Sequence, residues 1–474
     1  MTSDRSALGV AALATILAVS GLGAAAPAPL AAQWTAPPAD SVQAILATRI
    51  ERGGAVGLAL GVTDAGQPRV MTAGRRAGAG SPAIDARTVF EIGSVSKVLT
   101  TTLLAEMVVR GEVALEDPVQ KFLPDSVRMP SRDGREITLL DLATASSGLP
   151  RLPGNMKPAD PANPYADYGV GELYAFLSGY TLPRAPGAAY EYSNLGMGLL
   201  GHVLSLKAAM PYEQLVIERI LTPLGMHDTR IALTPDMRSR LASGHAADLT
   251  PARNWDLDVL AGAGAWRSTA SDMLRFVGAA VTPPVGALGE AMKLAMTPRR
   301  PTGAPGLRIG LGWHVLEREG QQLVWHNGAT AGYHAFVGLN PASGANVAVL
   351  ANSSTNIDDV GLHVLHPTMP VQHPAPPRAT VAVDSAVLQR YVGRYEVTPA
   401  FAIDIVRDGG ALHAQATGQP RNRLHAASST RFFLRTVEAE IDFTLDASGA
   451  VTGLVLYQGG REVPARRVAA SRPG

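Results

Sequence analysis

Phe90-Glu91-Ile92-Gly93-Ser94-Val95-Ser96-Lys97 runs without a break into the apolar stretch Val98 to Val109. This pattern predicts a helix with Ser94 at its start and Lys97 one turn further on. Side chains three residues apart on a helix are neighbours, so the two should touch. A serine hydroxyl is a poor nucleophile until a base takes its proton, and a desolvated, neutral lysine can be that base. The pair points to acyl transfer. Lysine is also scarce: Lys97, Lys121, Lys157, Lys207 and Lys293 are the only five among 41 Lys and Arg. A lysine inside an apolar helix of such a chain is more than a generic solubilising charge.

Ser94-x-x-Lys97 is weak evidence alone, because short patterns recur by chance. Two further triplets follow in order. Tyr192-Ser193-Asn194 opens an apolar, small-residue-rich helix over residues 193–208, after the loop 182–187. His326-Asn327-Gly328 lies on an expected strand and is followed by Ala329-Thr330-Ala331-Gly332-Tyr333. Each triplet sits where its side chains could meet the others. The chain has no Gly-x-Ser-x-Gly elbow, no His-Glu-x-x-His and no Walker loop, which disfavours an α/β-hydrolase, a zincin and a P-loop enzyme. His363 and His366 share a helical face, but no third ligand accompanies them, so no metal is expected.

In these residues the chain resembles the serine-active penicillin-recognising enzymes, specifically the class C β-lactamase-like family with its D-Ala-D-Ala carboxypeptidases, D-amino-acid peptidases and esterases. The resemblance spans roughly residues 40 to 360. It is strengthened by the phrases Thr138 to Pro150, Pro223 to Thr229 and Ala265 to Met273. It implies that Ser94 is acylated, that Lys97 is its proton partner and that Tyr192 is the general base, its hydroxyl made more acidic by nearby positive charge. It further implies that Asn194 binds the substrate's amide carbonyl and that the N–H groups of Ser94 and Ala329 form an oxyanion hole. The triplet His326-Asn327-Gly328 would line the substrate site. Class C β-lactamases usually carry Lys-Thr-Gly at that triplet. Histidine titrates near pH 6.5, so the permanent cation is lost, and the histidine form looks more like the D-peptidase and esterase branches.

The implied fold is α+β: a β-lactamase/transpeptidase-like antiparallel sheet flanked by helices, with a helical lobe inserted between Ser94 and the last strands. No cofactor is implied. The expected partner is a small-molecule or peptide substrate: a β-lactam, a D-Ala peptide or an ester. Turnover is one outcome; a penicillin-binding sensor whose adduct persists is another.

Length and composition frame this reading. At 474 residues, with 46% apolar and 17% charged residues, the chain has material for more than one packed unit. A formal net charge of +1 gives no reason to expect nucleic acid as a partner, and the absence of cysteine removes disulfides and thiolate chemistry. Residues 1–32 read as a secretory signal peptide: Arg5, then an uncharged run rich in Ala, Gly, Leu and Val, with Pro27 and Pro29 before Ala31 and Ala32. A periplasmic or secreted location follows, with no stable membrane span after cleavage. The catalytic unit is expected over residues 35–365. Five prolines between His366 and Thr380 mark a linker, 366–380, and strand-length runs separated by turn signals over 381–468 suggest a small antiparallel β barrel or sandwich.

Overall fold

The computed structural model describes residues 35–64, 66–372, 378–399, 401–419, 421–435 and 439–468. The segment read as a signal peptide lies outside them.

The chain enters through helix α1 (Ala39–Glu51) and a hairpin of β1 (Gly57–Asp64) and β2 (Gln67–Gly74). Helix α2 (Ser96–Val109) follows, buried continuously from Ser96 to Met107. Such a helix must satisfy its polar side chains internally. Thr100 donates to Gly262 O at 2.7 Å, Thr101 to Leu311 O at 2.8 Å, and buried Glu106 pairs with Arg219 and Arg110. The helical lobe continues with α3 (Leu139–Ala143), whose Thr138 cap and Asp141 form a reciprocal capping box, and α4 (Asn194–Ala208), capped by Ser193. Helix α5 (Ala270–Val281) returns the chain to the sheet.

The remaining sheet strands are β3 (Arg300–Pro301), β4 (Leu307–Ile309), β5 (His314–Arg318), β6 (Gln321–Ala329), β7 (His334–Asn340) and β8 (Ala345–Ala351). They complete an antiparallel sheet in the order β2-β1-β8-β7-β6-β5-β4-β3. Strands β7 and β8 are buried along their whole length because both faces are covered. Leu58, Leu60 and Val62 of β1 join Val42 and Leu46 of α1 and Val360 and Val364 of helix α6 (Asp358–Leu365) in one apolar cluster. On the other face a Cβ at Gly61 would lie 3.3 Å from Leu274 of α5.

After α6, helix α7 (Ser385–Tyr391) leads into eight antiparallel strands from Gly393 to Val468 that close into a barrel. Its core, built on Tyr391, Tyr395, Phe432, Ile441 and Phe443, is a separate apolar cluster. The barrel, rather than a sandwich, follows from pairing of the first strand (Gly393–Thr398) with the last (Arg461–Val468), which removes both edges.

Candidate active site

Ser94 does not begin the helix itself. It stands in a tight 3₁₀ turn, Gly93–Val95, with α2 starting at Ser96. Gly93 has a φ of +48°, which only glycine adopts cheaply, and a Cβ there would meet Ala329 O at 2.8 Å and Ala329 N at 2.9 Å. From the facing strand, a Cβ at Gly328 would meet Ile92 O at 2.0 Å and Ser94 N at 2.8 Å. The two glycines let the nucleophile turn lie directly against the end of β6. The main chains of Ser94 and Ala329 thereby come side by side.

Two side chains converge on Ser94 Oγ. Lys97 Nζ lies 2.9 Å away, from α2, and Tyr192 donates its hydroxyl at 2.6 Å, from the segment preceding α4. Lys97 Nζ also donates to Asn194 Oδ1 at 2.8 Å and to Ala263 O at 2.7 Å. Lys97 is only 2% exposed; burial, and then the charge of Arg151, hold its amine well below the usual lysine range. A neutral amine has two N–H bonds and one lone pair. With the carbonyls of Asn194 and Ala263 taking the N–H bonds, the lone pair is left for the Ser94 hydroxyl.

Tyr192 departs from expectation. Positive charge is present, since the Arg151 guanidinium sits 5.0 Å from the ring centroid. Burial nevertheless outweighs it and pushes the phenol above its ordinary pKa, and Tyr192 donates its hydroxyl to Ser94 Oγ. Asn194 is held by Lys97 and, through Nδ2, by the Tyr165 hydroxyl at 3.4 Å.

Strand alternation divides the third triplet between the two faces of β6. Asn327 points away and donates to Asp358 at 2.6 Å. His326 points inward, 2% exposed, and burial, then His314 and Lys97, push its pKa well down. Its Nδ1 lies 2.5 Å from Asn327 O, a pure acceptor, so Nδ1 carries the proton and Nε2 is left as an acceptor. Ala329 is exposed at the strand end.

Sequence reading missed two neighbours, His314 and Arg151. His314 on β5 lies 5.2 Å from the His326 ring, with Tyr190 OH 3.3 Å from its Nε2. Burial pushes His314 down to about 4. His314 and Tyr190 line a small cavity with Lys97, Tyr192, Ser193 and His326. The second is Arg151. Its position directly after Gly148-Leu149-Pro150 was the available sign. Trp266, Trp313 and Tyr333, by contrast, are buried in the core, while Tyr165 and Tyr190 adjoin the site. His363 and His366 contact Met369 O and Thr368, and among the described residues no cluster of three or more potential metal ligands occurs.

Comparison with known proteins follows these lines. A family model described as Beta-lactamase matches residues 42–364, and one described as Domain of unknown function (DUF3471) matches 377–466. The D-alanyl-D-alanine-carboxypeptidase/endopeptidase AmpH of Escherichia coli (strain K12) is 34% identical over 226 residues, 47% of this chain and 57% of that protein. The match therefore spans little more than half of that relative. Penicillin-binding protein 4* of Bacillus subtilis (strain 168) is 27% identical over 80% of this chain and 88% of its own. A crystal structure of a class C beta lactamase superposes with a TM-score of 0.60 at 22% identity, covering 69% of this chain and 96% of the other; that likeness shows the fold.

Proposed function

Because the chain belongs to the beta-lactamase family of serine hydrolases, as the match over residues 42–364 shows, we propose that it is an exported enzyme that cleaves β-lactam or related amide and ester bonds through an acyl-enzyme on Ser94. The observation that carries this reading is the shared hydrogen bonding of Lys97 and Tyr192 to one serine oxygen.

In the proposed reaction the Ser94 proton passes to the neutral Lys97 amine as Oγ attacks the carbonyl carbon. The carbonyl oxygen, now negative, is held by the N–H groups of Ser94 and Ala329. Tyr192 gives its proton to the leaving nitrogen or oxygen as that bond breaks, and Lys97 restores the phenol. Water then takes the leaving group's place. The same two groups run in reverse to free the acid product and Ser94. Asn194 holds Lys97 in the orientation that keeps its lone pair on Ser94.

The His326-Asn327-Gly328 triplet, with an uncharged histidine where class C β-lactamases usually carry a lysine, favours a D-Ala-D-Ala carboxypeptidase, D-aminopeptidase or esterase over an efficient β-lactamase. Export rests on the pattern of residues 1–32; among the described residues no helix is long and apolar enough to cross a membrane. N-terminal sequencing of protein recovered from the culture fluid or periplasm tests it.

Intact mass measured over time after mixing with benzylpenicillin tests the chemistry. An adduct that decays with drug loss identifies a β-lactamase, and a lasting one a D-peptidase or sensor. No adduct, but hydrolysis of a p-nitrophenyl ester, identifies an esterase. Ser94→Ala should abolish adduct and hydrolysis alike; full activity in that variant would overturn the mechanism.

A further inference from the structure

Neither Lys97 nor His326 can hold a substrate anion. Lys97 is enclosed and its amine is taken up by Ser94, Asn194 and Ala263, while His326 is enclosed and uncharged. Arg151 differs from both: it is exposed. Its carbonyl accepts from the N–H groups of Asn194 at 3.0 Å and Leu195 at 3.3 Å, which fixes its backbone to the first turn of α4. Ser193 adds a bond to Pro150 O at 2.7 Å. The guanidinium lies against the face of Tyr192, whose hydroxyl is 2.6 Å from the nucleophile. Among the described residues it has no hydrogen-bond or ion-pair partner. The nearest acids in sequence, Asp160 and Asp141, are paired with Arg253 and Arg300 instead.

A guanidinium resting on an aromatic face keeps its N–H edge available, and its planar fork matches a carboxylate with two parallel bonds. Among the described residues this cation neutralises no carboxylate, and it lies over the ring of Tyr192. Its field bears on Lys97, Tyr165, Tyr190 and Tyr192 alike, which places it over the site and not beside it.

We propose that Arg151 is the carboxylate-binding residue of this site and that the preferred substrates are amides or esters bearing a free carboxylate. This rests on the hydrolase reading above. The test uses two peptide esters identical except that one ends in a carboxylate and the other in a carboxamide, with the full chain, Arg151→Gln and Arg151→Lys. The wild type should favour the carboxylate by about 10- to 100-fold in kcat/KM, mostly through KM, the size expected of a charged hydrogen bond. Arg151→Gln should bring the ratio close to one, and Arg151→Lys should retain part of it. A wild-type ratio near one, or an Arg151→Gln enzyme that loses both substrates in parallel, would overturn the assignment. Hydrolysis of neither ester by the wild type would instead remove the hydrolase reading on which it stands.

Discussion

Lys97 can act as a base only while its amine is neutral, and both burial and Arg151 favour that state. Activity should therefore fall as pH drops through the lowered lysine pKa and hold above it. Arg151→Gln removes one of the two causes, so the lysine pKa rises and the acid limb of the pH–rate profile moves to higher pH. A limb that stays in place would show that Arg151 does not act on Lys97. Lys97→Met should lower the acylation rate by about 10²- to 10⁴-fold, the range of general base catalysis, measured by stopped-flow with a chromogenic ester. His314 bears on stability as well. Its pKa of about 4 in the fold lies below the unfolded value of about 6.5, so the unfolded state binds the extra proton between those limits. The sign follows: stability is fully present above about pH 6.5 and falls as pH drops toward 4, by as much as about 3 kcal/mol from this group. Urea unfolding at pH 7 and pH 4.5 should show a smaller difference between the two pH values in His314→Gln than in the wild type.

At the scale of elements, the site depends on how closely the nucleophile turn approaches the end of β6. A methyl group on Gly328 would collide with the main chain of Ile92, Ser94 and Val95, none of which is a flexible side-chain end. Gly328→Ala should therefore displace Ser94 and cost at least about 10²-fold in kcat/KM, since misplacement by about 1 Å has that effect. Wild-type activity in this variant would mean that the turn yields freely. Ser193 caps α4 by accepting from Gly196 N at 2.8 Å, so Ser193→Ala should lower stability by about 1 kcal/mol in a denaturant titration. The sequence already carried these elements in outline. The apolar helix through Val109, the helix over residues 193–208 and the strand carrying His326 all stand where their apolar patterns put them. The start of α2 does not. Serine is a favoured helix opener, yet Ser94 sits in the 3₁₀ turn that starts at Gly93, whose φ is +48° and against which Ala329 of β6 lies.

Over the whole molecule, the barrel core and the two clusters around the sheet share no residue. Two largely independent cores should melt in two steps. Phe443, 3% exposed and stacked 4.0 Å from Tyr391, is a suitable probe. Phe443→Ala should weaken the barrel by about 3–5 kcal/mol, lowering one calorimetric transition while the other and the rate of Ser94 acylation hold. A single transition shifting as a whole would show that the units unfold together.

What the sequence determined by itself was the inventory: an apolar helix carrying Ser94 and Lys97, a cap-plus-helix carrying Tyr192 and Asn194, a strand carrying His326, and a run of strands after the prolines. Those features are local, set by periodicity, caps and turns within a dozen residues. The tertiary structure alone decided protonation and access. Whether Lys97 is neutral, Tyr192 a donor, His326 an acceptor or Arg151 an available cation depends on what surrounds each group. Desolvation and field at one point sum over segments far apart in the chain, and no short stretch of sequence contains that sum.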